Sequence, residues 1–210
     1  MSMKRARSIA SPFFPPDKDK LSELARKIDV SGLSSYLMAY PVFINYFGSI
    51  DKITPNELII GAHFAYGWMP TILTLGKADI ASCCEDLNRA KAGERLQLEE
   101  LIRLQEFVNN SIVGLSKLLH FIRPDQYPIW DSNVAGFVSG RPYPPHKIND
   151  ARYYLHFITY CEELINAAAY EPIHELLVSQ LGSSPMSRFR SLDLIMFTEG
   201  SRLIKAAHGR

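Results

Sequence analysis

Residues 111–134 read SIVGLSKLLHFIRPDQYPIWDSNV, and how this stretch is parsed decides the fold. Gly114 precedes a short helix over Ser116–Ile122 that Pro124 must end, because proline neither donates a backbone hydrogen bond nor fits a helix interior. Lys117 and His120 stand three apart and share a face of that helix. Pro128 stiffens the return of the chain, and Asp131 then falls at a loop-to-helix junction before SNVAGFV. Two readings of Asp131 stand side by side. It is a helix cap that accepts the first free amides of the next helix, or it is a catalytic acid at the mouth of a pocket.

Outward from this core the signals stay helical. Leu21, Leu24, Ala25 and Ile28 fall on one face of a helix beginning near Lys18. ITPNELIIGAHFAYG supplies Thr54 as cap, Pro55 at the first helical position and Glu57 to close a capping box, with the helix running to about Tyr66. KADIASCCEDLNRAKAG predicts a helix ending at Gly93. ERLQLEELIRLQEFVNN predicts another, with Asn109 and Asn110 as its stop. Asn149 is expected to cap a long helix through DARYYLHFITYCEELINAAA. Pro172 opens a helix reaching Leu181, and a last one starts at about Pro185. The best strand candidate, YPVFINYF, is aromatic and branched but isolated, and Pro41 would confine it to a sheet edge. The expected fold is all-α: a compact helical bundle, with residues 17–210 as a single helical domain whose groove lies between the helices before and after Gly114. Residues 1–16, with KRAR among them, read as a flexible basic arm without the apolar stretch of a secretory signal.

Composition bounds the function classes. Twenty-three Lys and Arg against 22 Asp and Glu give a net charge of +1, so no overall field draws the chain to nucleic acid or to a membrane surface. No apolar run approaches the length of a membrane span. Three cysteines, Cys83, Cys84 and Cys161, make neither a disulfide framework nor a spaced metal site, and reduced thiols in the cytoplasm fit best. Phosphate-loop, dinucleotide, paired-histidine and nucleophile-elbow patterns are all missing. Neither a metal nor another cofactor is expected.

SIVGLSKLLHFIRPDQYPIWDSNV resembles the core of the helix-hairpin-helix DNA glycosylase superfamily, over about a quarter of the chain. The resemblance implies a glycine-containing hairpin at Gly114, a helix carrying a lysine near the catalytic position at Lys117, and a loop delivering the essential aspartate, Asp131. It departs from the family in keeping one hairpin glycine rather than two, in a shorter hairpin-to-aspartate spacing, and in a lysine displaced by about one residue. The implied partner is double-stranded DNA, and the implied reaction is excision of a damaged or modified base, from the cell's own or from foreign DNA. Asp131 would steady an oxocarbenium-like sugar and activate water. Lys117 would act only if its amine were neutral enough to attack the sugar carbon. An extruded base needs a stacking pocket, for which Tyr66, Trp68, Trp130 and His120 are the candidates, with His63 nearby. Gly114, Ser116 and Arg123 are the candidates for phosphate contacts at a helix start. Arg188, Arg190, Arg202 and Lys205 would extend a basic rim. The rival reading is a non-catalytic helical module that binds DNA or protein, with Asp131 as a cap only. A weaker third is a helical toxin acting on something other than DNA.

Overall fold

The computed structural model describes residues 13, 17–69, 71–141, 143–182 and 186–208. Its architecture is all-α. Helices α1 (Lys18–Arg26), α2 (Ser34–Ser49), α3 (Pro55–Gly67), α4 (Ile80–Lys91) and α5 (Leu98–Phe107) form the first half. Helices α6 (Ile112–Ile122), α7 (Ser132–Ser139), α8 (Pro145–Ile148), α9 (Ala151–Ile165), α10 (Glu171–Leu181) and α11 (Arg188–His208) form the second. The one β-type pairing among the described residues is an isolated antiparallel bridge between Leu75 and Val108. No helix of the described residues is long and apolar enough to cross a membrane.

Local chemistry sets most helix ends. Thr54 and Glu57 close the expected capping box on α3. Gly93 takes a left-handed φ of 94° after α4, and Glu94 N–H then bonds the Arg89 carbonyl. Asn109 and Asn110 both adopt positive φ and end α5, a conformation asparagine tolerates better than most residues. α9 is capped by Asp150 rather than Asn149. The Asn149 amide instead ties α9 to α6: its oxygen accepts from Ile112 N–H, and its nitrogen donates to the Asn110 carbonyl. The expected start of the last helix at Pro185 lies outside the described residues.

Two further expectations are corrected. YPVFINYF is helical and belongs to α2, with Pro41 inside the helix. Helical spacing puts Tyr36, Tyr40, Phe43 and Phe47 on one side, where Phe43 stacks on Phe64 at 4.7 Å and Tyr40 on Trp68 at 6.0 Å. This tertiary aromatic packing outweighs the strand propensity of the same residues. The second correction concerns the start of α6. Gly114 lies inside its first turn, not ahead of it, and the cap is Ser111, whose hydroxyl accepts from Gly114 N–H. Of the expected arm at residues 1–16, Phe13 is buried against Trp130, Phe157 and Tyr160. The rest of it lies outside the described residues.

α6 is the central helix. Ile112 and every residue from Gly114 to Ile122 are buried, with α2, α3, α4 and α5 packed around it. Among the described residues, α11 and α7 form the most extensive helix pairing. Gly200 permits that approach: a Cβ there would sit 1.9 Å from the Asn133 carbonyl oxygen. The start of α7 is therefore held against α11 backbone to backbone.

Candidate functional site

The segment between α6 and α7 is tied back onto α6 by two side chains one turn apart. His120 Nδ1 meets the Tyr127 carbonyl at 2.7 Å, which makes this nitrogen the N–H donor, and Nε2 then accepts from the Tyr40 hydroxyl at 3.0 Å. Ser116 Oγ accepts from Trp130 N–H at 3.0 Å and lies in hydrogen-bond range of the Val113 and Trp130 carbonyls. Farther along the same segment, the Tyr127 hydroxyl donates to the Glu94 carbonyl and accepts from Leu96 N–H, and the Tyr154 hydroxyl donates to the Pro128 carbonyl. With Tyr127 to Trp130 fixed in this way, Asp131 can stand only at the head of α7, beside α6.

Asp131 caps α7, and both capping bonds go to one oxygen. Oδ1 accepts from Asn133 N–H at 2.9 Å and from Val134 N–H at 3.0 Å. Oδ2 takes no hydrogen bond from the described residues, and Asp131 lines a cavity of about 360 Å³. The two sequence readings of this residue therefore do not compete in space: one oxygen can cap while the other faces a ligand.

Lys117 lines the same cavity from α6, with Trp68 and Tyr36 on the aromatic side and Arg190 and Asp193 from α11. Lys117 is 7% exposed, and its amine makes no hydrogen bond or ion pair within 4 Å among the described residues. Burial lowers its pKa, and the negative charges of Asp131 and Asp193 partly oppose that shift. Arg190 donates through Nη1 to Asp193 Oδ2. Its guanidinium also lies 4.7 Å from the Tyr40 ring centroid and 5.2 Å from that of Trp68. Asp193 is 4% exposed, and burial raises its carboxyl to about 6 against the pull of Arg190. Asp193 Oδ1 and Trp68 Nε1 are both buried without a hydrogen-bond partner among the described residues.

The remaining sequence candidates fall elsewhere. Trp130 is fully buried in the core, and its indole N–H donates to the Ile148 carbonyl. Tyr66 donates its hydroxyl to the Val108 carbonyl, and its ring closes over Gly114, where a Cβ would come within 2.6 Å. His120 is fully buried with both nitrogens engaged, and burial drives its pKa down to about 3. None of these three lines the cavity; Trp68 alone of the expected base-pocket residues does. Of the residues expected at phosphate, Gly114 and Ser116 are buried with their polar groups taken up inside the fold. Arg123 reaches the Lys91 carbonyl and pairs with Asp125. His63 is exposed and bonded to its own helix at the Ile59 carbonyl. The expected basic rim is mostly spent on neighbours, since Arg188 pairs with Glu171, Arg190 with Asp193 and Arg202 with Glu199.

Sequence reading passed over Asp193 and Tyr36, and it put Arg190 on the surface. A usable signal existed. In RFRSLDLIMF, Arg190 and Asp193 are three apart within a run otherwise rich in apolar residues, so a buried helix face must carry both charges, which only pairing makes tolerable. Among the described residues no group of three or more His, Cys, Asp or Glu side chains is placed to hold a metal ion. Cys83, Cys84 and Cys161 are all buried free thiols. What fold and cavity define together is an all-α protein with a carboxylate, an amine and an aromatic wall around one open cavity. No family model, curated protein or solved structure matches the chain.

Proposed function

We propose that the chain is a DNA glycosylase-like hydrolase that cleaves the N-glycosidic bond of a damaged or modified base. The observation that carries this reading is the meeting of Asp131 and Lys117 in a cavity walled by Trp68. Its volume of about 360 Å³ lies in the range of small-ligand sites and has room for a flat heterocycle. The motif's resemblance to helix-hairpin-helix glycosylases supplies DNA as the substrate class.

In this reading the target nucleotide leaves the duplex and its base enters beside Trp68. As the bond to the base lengthens, positive charge builds on the sugar, and the free oxygen of Asp131 faces that charge from the cavity wall. Water completes the reaction and leaves an abasic sugar. Capping and catalysis cooperate, because the two α7 amides hold the Asp131 carboxylate in one orientation. The Lys117 amine, which makes no hydrogen bond or ion pair with the described residues, favours a second activity of the same site. Its lowered pKa enlarges the neutral fraction that can attack the sugar carbon and form a Schiff base.

The test is a panel of duplexes with single damaged or modified bases, incubated with the protein and then treated with alkali. Strand breaks at the modified position that vanish in Asp131→Asn are expected. No breaks across a broad panel would leave the rival, a non-catalytic helical module. Borohydride trapping tests Lys117 separately: a covalent protein–DNA adduct that Lys117→Gln abolishes is expected if the amine reacts, and its absence leaves a purely hydrolytic enzyme.

A further inference from the structure

Residues 141–153 read RPYPPHKINDARY and carry Arg141, Lys147 and Arg152 against one carboxylate, Asp150. Asp150 is spent on Arg152, with which it pairs. The side chains of Arg141, His146 and Lys147 make no hydrogen bond or ion pair among the described residues, and neither do the hydroxyls of Tyr143 and Tyr153. These groups stand together. The Lys147 amine lies 5.7 Å from the Tyr153 ring centroid, and the rings of Tyr143 and Tyr153 meet edge to face at 6.0 Å. Their backbone is fixed. Gly140 turns the chain out of α7 at a φ of 65°, Ser139 Oγ donates to the Arg141 carbonyl at 2.7 Å, and Pro145 opens α8. The patch adjoins the cavity: Ile148, the residue after Lys147, lines it, and the Ile148 carbonyl accepts from the Trp130 indole. Tyr143 packs on that same indole at 6.1 Å, one residue before Asp131.

We infer that Arg141, Tyr143, Lys147 and Tyr153 grip the phosphate backbone of duplex DNA beside the nucleotide whose base enters the cavity. This rests on the base-excision reading and supplies the backbone contacts it lacks, because Gly114, Ser116 and Arg123 are engaged with neighbours in the fold. A net charge of +1 gives the chain no overall pull on a polyanion, so the cations that hold one must be gathered in one place. Arg141 and Lys147 bring two such charges with no carboxylate paired to either. The Tyr143 and Tyr153 hydroxyls add neutral donors, and contacts of this kind position a duplex without reading its sequence. The other groove rimmed by cations fits a polyanion less well. There Lys20, Lys27, Arg202 and Lys205 share the walls with Glu23, Asp29 and Glu199, and Lys27 pairs with Glu23 and Arg202 with Glu199.

The experiment is a fluorescence-anisotropy titration of a short, unmodified, blunt DNA duplex with the full chain, repeated from about 50 to 200 mM salt. It needs no cleavage. Wild type is compared with the double variant Arg141→Gln, Lys147→Gln and with a second double variant, Lys20→Gln, Lys27→Gln, which removes the same charge from α1. Wild-type affinity should fall steeply as salt rises. In the Arg141, Lys147 variant the slope of log affinity against log salt should shrink by about 2, and affinity at about 100 mM salt should drop at least about tenfold. The α1 variant should keep both close to wild type, because salt screens charges that do not touch the duplex. Absence of salt-dependent binding by wild type, equal slopes in wild type and the Arg141, Lys147 variant, or an equal drop in both variants would overturn the inference. So would tighter binding to phosphatidylserine vesicles than to the duplex, lost in the same variant, which would assign the patch to a membrane surface. Duplex binding that the Arg141, Lys147 variant loses, without excision of any base, would instead sink the hydrolase reading and leave this one standing. Excision of a base with equal slopes would do the reverse.

Discussion

Acidification should expose His120 as a latent weakness of the fold. In the folded chain its imidazole is neutral, donating to Tyr127 and accepting from Tyr40, with burial holding its pKa at about 3 against a usual 6.5. The unfolded chain takes up the proton first, so the stability this histidine contributes is intact above pH 6.5 and is lost as pH falls towards 3. A shift of this size corresponds to roughly 5 kcal/mol when fully expressed and to about 2 kcal/mol at pH 5. Asp193 acts in the opposite sense. Its folded pKa of about 6 lies above the usual 3.8, so its contribution grows as pH falls from 6 towards 3.8 and offsets on the order of 1 kcal/mol at pH 5. The histidine is isolated by comparing wild type with His120→Asn, whose side chain does not titrate and can still donate to the Tyr127 carbonyl. Urea unfolding of both proteins between pH 7.5 and 4.5 is the assay. The wild type should lose about 2 kcal/mol more than the variant between pH 7.5 and 5. Parallel stability curves would show that His120 does not stay neutral in the folded state, and the tie between α6 and the Asp131 segment would need another basis.

Three further outcomes follow from the same geometry. Ser116→Ala strands the Trp130 amide in the core and should cost about 1–3 kcal/mol in chemical denaturation, with excision slowed because Asp131 is the next residue after Trp130. Gly200→Ala drives a Cβ to 1.9 Å from the Asn133 carbonyl oxygen, so α11 must lift from α7. The expected cost is about 1–3 kcal/mol, read as a fall in melting temperature of about 2–4 °C per kcal/mol; an unchanged melting temperature would contradict the backbone contact. Asp131→Asn can still cap α7 and should melt close to wild type, whereas Asp131→Ala loses both amide bonds and should be less stable by about 0.5–2 kcal/mol.

The sequence made the helices legible wherever their ends are local. Thr54 with Glu57, Gly93 and Asn109–Asn110 each act within a few residues, through side-chain caps or positive φ, and each does what its residue type dictates. α2 was misread because its aromatics are equally at home in a strand; only their long-range partners Phe64, Trp68 and Phe121 decide for helix. The site divides in the same way. Asp131 and Lys117 were visible because one motif carries both. Arg190 and Asp193 enter the cavity from a helix some sixty residues farther along the chain, and no local pattern places α11 against α7. Trp130 was drawn towards the pocket by adjacency to Asp131, and His120 by the helix face it shares with Lys117. Adjacency does not fix direction, since consecutive helical or extended side chains point to different sides. His120 points back to hold the segment that presents Asp131, and Trp130 fills the core beneath it.

The central claim is that the Asp131 charge, and not merely its cap, serves the cavity. It is tested most directly by single-turnover excision from a duplex bearing the best substrate base, comparing wild type with Asp131→Asn under conditions where both are folded to the same extent. The account predicts a rate at least about 100-fold lower in the variant. Equal excision rates in the two proteins would contradict it.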